Sequence, residues 1–165
     1  MNYVYVDCRH VQNCDVETRP SGEADMHGLV DMGRLYLLVG GEPSEIGRAA
    51  LYGARPPDHD SIWELAERLG FELTVASEGE APIESVVVTD ILGDSYELMD
   101  FGRDSITLVG GSLFYLPMLR RLRARGAKVR LACWSRASAA FEAAADPLTL
   151  DEHLRALRQR SGTGG

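Results

Sequence analysis

A chain of 165 residues, 45% hydrophobic and 25% charged, is long enough for one well-buried core and short for two domains. Its net charge of -8 argues against a protein that grips a nucleic-acid duplex non-specifically, which needs an excess of Lys and Arg along one face. No apolar run approaches bilayer length, the N-terminus "MNYVYVDCRH" lacks a signal-peptide pattern, and three cysteines make an odd number for a disulfide framework. A cytoplasmic protein with reduced thiols and no membrane partner is expected.

In chain order, "YVYVD" reads as a strand and Arg9 to Gly22 as a long loop. Leu29, Met32, Leu35, Tyr36 and Val39 recur at helical spacing, and Gly40 and Gly41 close that helix. "AALYG" is a second strand, followed by the turn "ARPPDHD". Asp60 or Ser61, with Glu64, caps the next helix, which ends at Gly70 before the strand "FELTV". Pro82 to Met99 carries both strand-like valines and the helical spacing Ile83, Val87, Ile91, and is taken as helix. "SITLV" and "KVRLAC" are two further strands, separated by a helix from Tyr115 to Arg125 that stops at Gly126. Two helices finish the fold, the second opened by Thr149 with Glu152 as a capping box.

Strands alternating with helices over short connections imply a three-layer α/β domain with about five mainly parallel strands and helices on both faces. The expected extent is a single domain over 1–158 with a flexible tail, 159–165. In such a sheet the site lies beyond the carboxyl ends of the strands. Those positions hold Asp7, Cys8, Arg9 and His10, then Tyr52, Gly53 and Arg55, then Gly110 to Phe114, then Cys133 and Trp134, with Glu84 and Asp90 on a neighbouring helix.

The segments "YVYVDCRHV", "ALYGARP", "APIESVVVTDIL", "DSITLVGGSLFYLPMLRRLRARGAKVRLACW" and "AAADPL" resemble, in this order, the NYN-domain family of PIN-like ribonucleases, from Tyr3 to about Leu150. That resemblance implies a metal-dependent nuclease site: a first-strand aspartate followed by an asparagine, two acids on the central helix, and Ser-Gly-Asp-x-Asp-Phe after the fourth strand with a proline two residues on. Asp7 keeps the first carboxylate, and His10 stands for the asparagine. Glu84 and Asp90 match the helix acids. Gly110 replaces the serine, Gly111 is kept, Ser112 and Phe114 replace both aspartates, Tyr115 replaces the phenylalanine and Pro117 is kept.

Mg²⁺ or Mn²⁺ needs several hard oxygen ligands, and here five implied acids become three, Asp7, Glu84 and Asp90. Phe114 would place apolar bulk where a metal or its water should sit. The expectation is therefore a catalytically degenerate domain with no required cofactor, which binds RNA, a nucleotide or a protein partner through the cleft, or pairs as a homodimer. His10, Arg9, Arg55, Gly111, Ser112, Arg121 and Arg125 are its candidate binding residues. If activity survives, it is a weak Mg²⁺- or Mn²⁺-dependent endoribonuclease with Asp7, Glu84 and Asp90 as catalytic and metal-binding residues. A third reading places different chemistry on Cys8 or His10.

Each candidate also has a plain structural role. Asp7 fits a cap and Glu84 complements a helix dipole. Ser112 is either a phosphate donor or an N-cap, and Arg121 and Arg125 share a face that meets phosphates or solvent. A zinc site from Cys8, His10, Cys14 and His27 or Cys133 lacks the paired Cys-x-x-Cys spacing.

Overall fold

The computed structural model describes residues 1–12, 31–54, 61–76 and 81–153. Six strands, β1 (Asn2–Asp7), β2 (Ile46–Ala54), β3 (Glu72–Ala76), β4 (Ser105–Val109), β5 (Lys128–Cys133) and β6 (Asp146–Thr149), form one sheet. Their order is β3-β2-β1-β4-β5-β6, and every neighbouring pair is parallel. The helices are α1 (Cys8–Gln12), α2 (Met32–Gly40), α3 (Ser61–Arg68), α4 (Ile83–Glu97), α5 (Leu116–Ala124) and α6 (Ser135–Ser138). This is the three-layer α/β architecture expected, with six strands in place of five.

Parallel strands need helical crossovers, which cover both faces and leave the central strands no solvent side. Accordingly Val4, Tyr5 and Val6 of β1 are completely buried. Tyr5 joins Ile83, Val87 and Ile91 of α4 and Leu119 and Leu122 of α5 in one core. Val4 and Val6 join Met32, Leu35 and Val39 of α2 and Trp63 of α3 in the other. The Ile83, Val87, Ile91 spacing is thus the buried stripe of a helix, and the valines between them do not make a strand. Asp31 caps α2, its side chain accepting from the Arg34 amide at 3.0 Å. Gly70 and Gly126 follow α3 and α5 with φ of 97° and 91°, a left-handed turn that glycine adopts without strain.

Two expectations are corrected. Arg9 to Gln12 is helical, not loop, because α1 starts directly behind β1; residues 13–22 lie outside the described residues. Among the described residues after β5, up to His153, the two expected helices are not found, and Thr149 does not open a helix. A short turn of helix, α6, runs into a 3-10 turn over Ala139–Phe141, and then Asp146–Thr149 adds β6 to the edge of the sheet. Thr149 closes that strand, and Leu150–His153 is a 3-10 turn. Pro147 is tolerated there because an edge strand does not use every ladder hydrogen bond. The turn after Ala54, Asp60 and the tail 159–165 lie outside the described residues, and α3 begins at Ser61. Among the described residues, no helix is long and apolar enough to cross a membrane.

The strand order reverses between β1 and β4. From β1 the chain builds outward to β2 and β3, then returns to lay β4, β5 and β6 on the other side. Connections leave β1 and β4 in opposite directions, so a crevice opens beyond their carboxyl ends. Asp7 ends β1, and the turn Gly110–Ser112 follows β4.

Candidate functional site at the junction of β1 and β4

Asp7 is buried, at 3% exposure, so its charge has to be answered from within the protein. Four donors do so. The Arg9 backbone amide and Nε donate to Oδ1 at 3.2 and 3.3 Å, as an aspartate at the start of α1 invites. On the second oxygen, Arg9 Nη2 donates to Oδ2 at 3.2 Å and the Tyr115 hydroxyl at 2.7 Å. A carboxylate offers about four lone-pair directions, and all of them are engaged here. Arg9 Nη2 also reaches Glu84 Oε1 at 3.0 Å, so a single guanidinium spans the two acids from β1 and α4.

The electrostatics hold this arrangement in place. Burial, then the adjacent Asp7 charge and its hydrogen bond, push the Tyr115 hydroxyl well above the ordinary tyrosine range, so it stays a protonated donor. Burial works to lower the Arg9 pKa, but the bonds to Asp7 and Glu84 outweigh it and the net shift is upward.

The glycine turn gains its apolar character from what presses on it. Gly110 donates its amide to the Ala132 carbonyl at 3.1 Å, and a Cβ there would sit 2.9 Å from Tyr115 Cε2. A Cβ at Gly111 would overlap the His10 imidazole. Both glycines therefore clear space for the side chains that close the crevice. Ser112 is the N-cap, accepting from the Phe114 amide at 3.3 Å and starting the 3-10 turn Leu113–Tyr115 that leads into α5. His10 is fastened from the other side, its carbonyl accepting from Trp134 Nε1 at 3.1 Å. Phe114 does not fill the space beside Asp7: its side chain is 55% exposed, turned toward α4, and Arg9 and Tyr115 occupy the position expected for it.

Asp90 belongs to a different cluster. It lies six residues beyond Glu84, a rise of about 9 Å along α4. There Asp90 Oδ2 accepts from Tyr52 at 2.8 Å and is 3.9 Å from Arg48 Nη2. Arg48 also pairs with Asp94 and, at 2.8 Å, with Glu72, while Tyr5 donates to Asp94 at 2.6 Å. These bonds bolt α4 to β1, β2 and β3. Desolvation alone would lower the Arg48 pKa, yet its bonds to Asp94 and Glu72 raise it. Arg48 falls just before the strand "AALYG" and carries no local signal; the longer β2 brings it under α4.

Asp7 and Glu84 are thus brought together, and Asp90 is not with them. Among the described residues, no three His, Cys, Asp or Glu side chains form a group that could hold a metal ion. A hard divalent cation needs several converging oxygens, and Asp7 has its lone pairs taken while Glu84 shares the same guanidinium. As arranged, this donor set does not fit the implied metal. Cys8 and Cys133 are buried thiols, pushed up to about 12 and about 11, first by burial and then by the charges of Asp7 and Asp151 respectively. Neither has the lowered pKa of a reactive thiolate. Arg121 and Arg125 lie along the exposed side of α5, with Arg125 Cζ 5.4 Å from the centre of the Phe101 ring. Arg55, Cys14 and His27 fall outside the described residues. Compared with known proteins, the chain matches no family model and no curated protein.

Proposed function

We propose that the chain is a PIN-like domain of the NYN type that binds without cutting, working in the cytoplasm on RNA, a nucleotide or a protein partner. The observation that carries this reading is the saturation of Asp7 by Arg9 and Tyr115, with Glu84 on the same guanidinium. Metal-assisted phosphodiester cleavage needs a cation to activate water and neutralise the phosphate. A fixed guanidinium in that place offers positive charge but has no open coordination position for water. It therefore suits holding an anion or bracing a surface, and the reading requires no cofactor.

The test is incubation of the purified chain with end-labelled single-stranded RNA and Mn²⁺, beside Asp7→Asn. Equal residual cleavage by the two proteins is expected. Cleavage by the unmodified chain that disappears in Asp7→Asn would establish the metal-dependent ribonuclease instead.

A further inference from the structure

Outside the Asp7 crevice, α4 and α5 frame a groove of about 420 Å³ lined by Val88, Leu92, Phe114, Pro117, Met118 and Arg121. Its lining is almost wholly apolar, and the adjoining Leu113 and Phe114 are 64% and 55% exposed. Large apolar side chains left in water beside a concave surface mark an interaction site more than a core.

The charge around the groove is one-sided. On the α4 lip the polar residues three or four positions from Val88 or Leu92 are Glu84, Ser85, Thr89, Ser95 and Tyr96, and the one charged side chain among them, Glu84, is already paired with Arg9 at 3.0 Å. On the α5 side Arg121 lines the groove, and Arg125 follows one turn on as the C-cap of α5. Among the described residues Arg121 has no carboxylate partner, although the chain as a whole carries -8. An aliphatic floor leaves the polar edges of a nucleotide unpaired, which is costly, whereas it accepts Leu, Ile or Met side chains. The arginine lip then selects for carboxylates.

We infer that the α4–α5 groove docks an acidic amphipathic helix of a partner protein. Apolar side chains at i, i+3 or i+4 and i+7 enter between Leu92, Met118 and Phe114, and Asp or Glu on the flank meets Arg121 and Arg125. The inference rests on the binding reading and names its partner class, yet no residue of the Asp7 crevice takes part, so peptide selection and RNA cleavage succeed or fail separately.

The experiment is selection of peptides of about 16 residues from a displayed random library on the full chain, in buffer without divalent metal. Selected peptides are then measured by fluorescence anisotropy. The expected result is enrichment of that apolar pattern with Asp or Glu on the flank, and affinity that falls about tenfold or more in both Phe114→Ala and Arg121→Glu. Both positions are exposed, so folding is retained and is checked by circular dichroism. Peptides lacking the pattern, or indifferent to both substitutions, would overturn the inference. So would a concentration-dependent dimer lost in Phe114→Ala, which gives the groove to a second copy, or poly(U) binding lost in Arg121→Glu with no peptide selected.

Discussion

A buried carboxylate is stable when every lone pair is answered and expensive when one is not. Tyr115 is completely buried and supplies the shortest bond to Asp7, at 2.7 Å. Tyr115→Phe keeps the ring and removes that donor, so it should lower stability by about 1–3 kcal/mol in urea denaturation. A loss below about 0.5 kcal/mol, the scale of ordinary surface changes, would mean that Asp7 does not depend on this bond. Asp7, Glu84 and Asp90 were readable together as candidate acids, at a strand end and on the neighbouring helix, but which of the two helix acids meets Asp7 was not, and Asp90 turns to Tyr52 and Arg48 instead. The bridging role of Arg9 was not readable: it depends on where α4 is laid across the sheet, which no local pattern specifies. Arg48 escaped notice for the same reason, since its three carboxylate neighbours come from α4 and β3.

At the scale of elements, the turn between β4 and α5 is built around its side-chain neighbours. Its glycines have no unusual φ, so their requirement is space and not backbone conformation. Gly110→Ala would bring a methyl to 2.9 Å from the Tyr115 ring, which is held by its bond to Asp7 and has no room to retreat. The substitution should cost about 1–3 kcal/mol, the usual penalty of overpacking. An unchanged denaturation midpoint would show that Tyr115 moves aside freely. Longer elements were legible: α4 from the Ile83, Val87, Ile91 spacing that outweighed its run of valines, and β1 and β4 from their β-branched residues. The short ones were not. "DPLT" has four residues and a proline, too little for any pattern, and becomes β6 because the edge of β5 is available to pair. α1 was hidden because five residues beginning "CRHVQ" carry no repeat, and Asp7 caps it only once β1 has delivered that carboxylate to the right place.

For the molecule as a whole, the sheet order decides where chemistry can gather. The alternation of strands and helices made the parallel α/β class readable, whereas the order β3-β2-β1-β4-β5-β6 emerges from long-range pairing. That order places the ends of β1 and β4 side by side at the reversal, where an open crevice would expose acids to a cation. Here Arg9, Tyr115 and His10 with its glycine seat close in on it, and an exposed apolar groove lies instead between α4 and α5.

The guanidinium of Arg9 bridges Asp7 and Glu84, where the family resemblance implies a catalytic cation, and a Mn²⁺ titration of the full chain followed by electron paramagnetic resonance shows whether it keeps the metal out. The free Mn²⁺ signal is expected to grow as in buffer up to about millimolar concentration, with no difference between the unmodified chain and Asp7→Asn. One equivalent of Mn²⁺ taken up well below that concentration, and released by Asp7→Asn, would contradict it.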